Sequence, residues 1–132
     1  MTLWKDAPYD YTRSADGLLF TAGSCPLDEN GEVVEPGDLL RQAERAAENL
    51  LAALAGAGAG PESLLKTTIY VVAGERADLV RAWEVVSLRL GRAPSTLLGV
   101  SFLGYPGQLV EIEAVALAAE AEEEAALPRP PR

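Results

Sequence analysis

Few residues in this chain have side chains suited to chemistry. Two carboxylates, Glu111 and Glu113, alternate with apolar neighbours in Val110-Glu111-Ile112-Glu113-Ala114. A strand of that period shows both to one face, and the period alone reads them as the solvated side of a half-buried strand. The single thiol, Cys25, follows Ser24. A free thiol titrates at about 8.5, and only Ser24 and backbone dipoles lie close enough in sequence to lower that, so a small buried residue is expected at Cys25 rather than a nucleophile. Tyr9 reads as an aromatic packed at the start of a strand. Thr96 and Arg92 flank Pro94. There is no histidine. Histidine acid–base chemistry, a Cys-His pair and a Cys/His zinc site are therefore excluded, and no metal or cofactor is expected.

The elements that must position these residues lie within 132 residues, enough for one domain with its own core. Eleven basic and twenty acidic side chains give a net charge of −9, which repels a phosphate backbone and disfavours nucleic-acid binding. One cysteine allows no internal disulfide. No apolar run reaches the roughly 18 residues a membrane span needs, and Met1-Thr2-Leu3-Trp4-Lys5-Asp6 is not a charged-then-apolar leader, so a cytoplasmic location is expected.

Tyr9 to Ser14 and Leu18 to Gly23 read as a hairpin around Asp16-Gly17, a pair suited to a turn with positive φ. A second turn falls at Asn30-Gly31, with a short strand expected from Val33-Val34. Asp38 caps a predicted helix to about Ala55, with Leu39, Ala43, Ala46, Ala47, Leu50 and Leu54 on its inner face. Arg41 and Arg45 lie outside that stripe as solvated charges. Gly56 to Pro61 ends the helix. Leu64 to Val72, rich in β-branched residues, reads as a central strand. Ala77 to Leu90 is a second amphipathic helix stopped at Gly91, with Trp83 on its inner stripe. Ser95 to Phe102 and Leu109 to Leu117 complete the strands, with a turn at Tyr105-Pro106-Gly107. Residues 1–118 form the expected domain, and 119–132 an acidic, proline-rich tail. This order suits an α+β fold with two helices on one face of a mixed sheet.

The chain resembles the Rid family, also known as YjgF/YER057c/UK114. The resemblance runs from Pro8-Tyr9 through Leu18-Leu19-Phe20-Thr21-Ala22-Gly23 and Pro26-Leu27-Asp28 to Gln42 and Asn49-Leu50. It continues through Val71, Pro94-Ser95-Thr96 and Leu109-Val110-Glu111-Ile112-Glu113-Ala114-Val115-Ala116. It implies a chorismate-mutase-like fold assembled as a homotrimer, with a small-molecule pocket at each subunit interface. It also implies hydrolysis of enamine and imine intermediates to a keto acid and ammonia. In such a site an arginine grips the substrate carboxylate and a glutamate positions water. Carried over, the glutamate matches Glu111 and the pocket tyrosine matches Tyr9, while Thr96 falls in the bordering strand, and Cys25 is expected among the substrate-binding residues.

The arginine does not carry over. The family's Arg-Ser-Thr stands here as Pro94-Ser95-Thr96. Losing a bidentate charge pair costs roughly 2–5 kcal/mol, or about one and a half to three and a half decades of affinity for a 2-imino acid. Arg92 is the nearer substitute, Arg13 the other. Two residues along an extended strand span about 6.6 Å on one face, and proline favours extension of Ala93 before it.

Three functions follow from the resemblance. One is a divergent hydrolase of a small enamine or imine lacking the carboxylate anchor. The second is a catalytically silent ligand-binding or regulatory trimer. The third, endoribonuclease activity, is disfavoured by the charge and the absent histidine. Two helices cover one sheet face only, so the apolar residues of the other must find cover by self-association.

Overall fold

The computed structural model describes residues 2–119; the acidic tail expected from 119 onward lies almost wholly outside them. Among the described residues, five strands and two helices make two layers. Strands β1 (Thr12–Ala15) and β2 (Leu18–Thr21) form the opening hairpin, followed by helix α1 (Leu39–Gly56) and strand β3 (Leu64–Val72). Helix α2 (Arg76–Leu90), strand β4 (Ser95–Val100) and strand β5 (Val110–Leu117) complete the order. The sheet runs β1-β2-β5-β3-β4, antiparallel except for the β3–β4 pair that α2 connects. This is the mixed sheet with two helices on one face that the sequence predicts.

Local chemistry sets the boundaries. Asp16 and Gly17 take φ of 52° and 80°, the two-residue turn that matches strand twist. Asp38 accepts a hydrogen bond from the Arg41 amide at 3.1 Å and starts α1. Gly91, at φ 84°, ends α2. Inward-facing Leu19, Ile69, Val71, Val110 and Ile112 pack under Ala43, Ala46, Leu50, Leu54 and Val86 of the helices. Arg89 of α2 reaches Glu44 and Glu48 of α1 at 2.8 and 2.7 Å. These part-exposed pairs add about 0–1 kcal/mol each to the helix contact.

Four expectations need correction. The first strand begins at Thr12, leaving Tyr9 in the loop before it, where its ring meets Tyr11 edge-on and the Tyr11 hydroxyl ties the stretch to Trp4 O at 2.6 Å. Val33 and Val34 form no strand: Val33 makes one isolated bridge to Leu27, and Asp28 Oδ1 takes the amides of Asn30 and Glu32 to close a loop. Strand β4 stops at Val100 rather than Phe102. Arg45 is not a freely solvated charge; its side chain is half-buried, donates to Asn49 Oδ1 at 3.3 Å and approaches Glu29.

Candidate active site

Strand β5 alternates strictly, with even positions buried under the helices and Glu111, Glu113, Val115 and Leu117 on the outer face. The register places Glu111 opposite Tyr70 and Glu113 opposite Thr68. The two carboxylates then meet different surroundings. Tyr70 donates its hydroxyl to Glu113 Oε1, and that bond raises the phenol's pKa. Glu111 sits instead at the end of the sheet beside the loop that follows β2.

That loop is fixed from three directions. Ser24 and Ile112 exchange backbone hydrogen bonds at 2.6 and 3.0 Å, and Ser24 Oγ donates to Ala46 O at 2.7 Å. Asn49 on α1 donates to Cys25 O and Leu27 O, both at 2.9 Å. Gln42, fully buried on the same helix face two turns earlier, donates to Glu35 O and Gly107 O and accepts from the Leu109 amide at 2.8 Å. Two polar helix residues thus pin both loops that flank Glu111.

The pinned loops deliver two donors to one carboxylate oxygen. Cys25 Sγ donates to Glu111 Oε1 at 3.3 Å and Gln108 Nε2 donates to the same atom at 3.1 Å. Among the described residues no hydrogen bond engages Oε2, which lies against Gly23. A Cβ built on Gly23 would stand 2.2 Å from Oε2, so a glycine is required here by close approach rather than by its backbone angles. Burial first, and the Glu111 charge second, push the Cys25 thiol up to about 12. Cys25 is therefore a neutral donor, buried as expected, and not a thiolate.

Tyr9, 36% exposed, lies near Tyr105 and Cys25; burial first, then the Tyr105 hydroxyl and the Cys25 thiol, raise its pKa. Its ring meets Tyr11 edge-on, with centroids 5.8 Å apart and an interplanar angle of 79°. The structure therefore brings together Glu111, Cys25 and Tyr9 of the expected residues. Sequence reading missed Gln108 and treated Tyr105 only as part of a turn. The available signal was a glutamine three residues before Glu111, at the mouth of an apolar strand.

Thr96 and Arg92 lie elsewhere in the protomer. Thr96 pairs with Thr68, two strands and two residues from Glu111, roughly 12 Å by strand geometry. It accepts from Lys66 Nζ at 2.6 Å. Arg92 and Ala93 form a bend after Gly91 and not the extended run expected before Pro94. Pro94 still orders the start of β4, its carbonyl accepting from the Thr67 amide at 2.9 Å. Arg92 lines a groove of about 480 Å³ with Trp83, Ser87 and Leu88, at the junction of α2 and β4. Among the described residues no group of three or more His, Cys, Asp or Glu side chains is arranged to hold a metal. No described helix is long and apolar enough to cross a membrane.

Comparison with known proteins gives the family. Residues 4–118 match the family described as Endoribonuclease L-PSP. A RutC family protein of Pyrococcus abyssi is 33% identical over 111 residues, covering 83% of this chain and 85% of that protein. The chain belongs to the Rid (YjgF/YER057c/UK114) family. Within it, a solved Rid protein of Yersinia pestis, YyfB, superposes with a TM-score of 0.69 at 34% identity, over 76% of this chain and 77% of its own. A second from that organism, YyfA, gives 0.76 at 26% identity over 85% and 89%. The 3-aminoacrylate deaminase RutC of Acinetobacter baylyi is 32% identical over 65 residues, 49% of this chain and 52% of that protein.

Proposed function

We propose that this Rid protein hydrolyses a small enamine, imine or related electrophile at Glu111. The observation that carries the reading is the asymmetry of that carboxylate. Oε1 is held by Cys25 and Gln108, which fixes the group's plane and leaves Oε2 to orient a water. The water oxygen bonds to the imine carbon as its proton passes to Oε2, and the C=N π pair moves onto nitrogen. The proton then passes from Oε2 to nitrogen to give a carbinolamine; its hydroxyl proton moves by way of Oε2 to nitrogen as the C=O bond forms and the C–N bond breaks, and a carbonyl compound and ammonia leave. The deaminase name of the A. baylyi relative supports this reaction class.

The reading includes a homotrimer with the site completed at the subunit interface. Phe20, Leu98 and Leu117, 39–45% exposed on the sheet face without helices, give self-association an apolar surface to cover. A neighbouring subunit is also the route by which Thr96 or Arg92 would reach a Glu111 pocket. Light scattering at micromolar concentration tests the assembly; a monomer overturns the interface pocket.

Pro94 favours a second reading, a ligand-binding trimer without turnover, because a position without charge or N–H cannot hold a substrate carboxylate. One assay separates the two. Imines generated in situ, with and without a carboxylate, are followed for carbonyl product and ammonia. Release that depends on Glu111 supports the hydrolase; ligand-induced stabilisation without consumption supports the silent trimer.

A further inference from the structure

The sheet face without helices carries charge as well as apolar surface, and one charge of each sign lies at its middle. Strand register sets Lys66 of β3 opposite Val115 of β5 and Glu113 of β5 opposite Thr68 of β3. The two charged residues are therefore diagonal neighbours, about 7–8 Å apart by strand geometry. Both are half-buried in the protomer. They border one hollow of about 220 Å³, walled by Phe20, Thr68 and Val115. Among the described residues neither forms an ion pair. Lys66 Nζ turns across to Thr96 Oγ1 on β4 at 2.6 Å, and Glu113 accepts from the Tyr70 hydroxyl, so each charge is met by a hydroxyl and not by its opposite.

Phe20, Leu98 and Leu117 stand around them, the apolar surface that self-association covers. Covering it takes the ammonium and the carboxylate out of water too. A hydroxyl does not offset that loss, because a charge removed from water needs an opposite charge as well as hydrogen bonds. A second copy of the same face brings one of each sign. The face is thus complementary in charge to itself, and the hollow between Lys66 and Glu113 leaves room for an incoming side chain. We propose that Lys66 of one copy pairs with Glu113 of the next, and that this pair, set inside the apolar rim, fixes the register in which a second copy of this chain docks on the face. A wrong register sets like charges together or leaves both unpaired, so the pair supplies specificity where Phe20, Leu98 and Leu117 supply attraction. The inference rests on the self-association reading and adds which groups meet; it takes nothing from the chemistry at Glu111.

Charge reversal tests the pairing, with the full-length chain followed by light scattering from nanomolar to micromolar concentration and each variant checked for wild-type circular dichroism. Lys66→Glu and Glu113→Lys each set like charges across the contact and are each expected to weaken association by at least about 100-fold. The double reversal is expected to associate as wild type does. Mixing the two single variants decides between copies and within one copy: the mixture is expected to form hetero-assemblies at concentrations where either variant alone is dissociated. Each reversal changes the net charge of −9 by two, so both variants stay acidic and net charge does not draw them together. Glu113→Gln keeps an oxygen for the ammonium and is expected to weaken association by less than about 10-fold, with assembly intact at micromolar concentration. Should a reversal fail to fold, Lys66→Met, uncharged and of similar length, serves instead and is expected to weaken association by at least about 10-fold. Unchanged association of Lys66→Glu or Lys66→Met overturns the pairing and leaves self-association standing. Rescue by the double reversal without rescue on mixing overturns it as well, since the pair then lies within one copy. A wild type that stays monomeric at micromolar concentration overturns the pairing together with the self-association reading, whereas an assembled wild type that turns over no imine touches the hydrolase reading alone.

Discussion

Glu111 and Glu113 are two residues apart on the same face of the same strand, yet their surroundings give them different capacities. Glu113 lies in the middle of the outer face, where the Tyr70 hydroxyl occupies it and Thr68 and Lys66 share the surface. Glu111 lies where β5 meets two loops, and the loops supply a thiol, an amide and a glycine shaped to its carboxylate. A strand sets which way a side chain points. What it then touches depends on how the loops beside it are anchored, and here Gln42 and Asn49 on α1 do the anchoring.

The sharpest test of this contrast is to neutralise each carboxylate. Glu111→Gln is expected to lower imine hydrolysis by about 10²–10⁴-fold, the usual range for a lost acid–base group, with Glu113→Gln within about 3-fold of wild type. Equal losses in the two variants would erase the distinction. Gly23→Ala should resemble Glu111→Gln in rate, because the new methyl occupies the place of Oε2. Its chemical-shift changes are expected to centre on Glu111 and Cys25; a rate near wild type would show that the carboxylate can move at little cost.

Next in size is the anchoring. Asn49→Ala leaves the Leu27 carbonyl without its donor and the Cys25 carbonyl with the Leu27 amide alone, and should cost about 1–3 kcal/mol in urea unfolding, the usual penalty for one buried acceptor left unpaired. A cost below about 1 kcal/mol would mean that the loop is held otherwise.

The Cys25 thiol gives a pH test. Its folded pKa of about 12 lies above the ordinary value of 9.0, so the folded state keeps a proton that the unfolded chain releases. The associated stability is complete below about pH 9 and is lost progressively as pH rises to about 12. Wild type should therefore lose more stability than Cys25→Ala between these limits. In Glu111→Gln the thiol should titrate lower but still above its ordinary value, since burial is the larger cause; equal reactivity toward a thiol reagent in wild type and Glu111→Gln would contradict the contact. The smallest effect is expected for Tyr70→Phe, within about 1 kcal/mol, because its bond to Glu113 is half-exposed.

The elements were legible in short-range signals. Apolar period, the Asp16-Gly17 turn, the Asp38 cap and the β-branched run from Leu64 fix where strands and helices lie and which face each buries. The two helices, the bounds of β3 and the outward direction of Glu111 could be read for that reason. The site could not, because it is made by packing. Cys25 and Gln108 meet Glu111 from different loops, across separations of 86 and 3 residues, through bonds that no periodicity encodes. Packing also separated Thr96 and Arg92 from Glu111 within the protomer, since strand order sets lateral distance and Gly91 bends the chain before Pro94. Local sequence fixes direction, whereas long-range packing fixes neighbours, and the chemistry of a carboxylate depends on its neighbours.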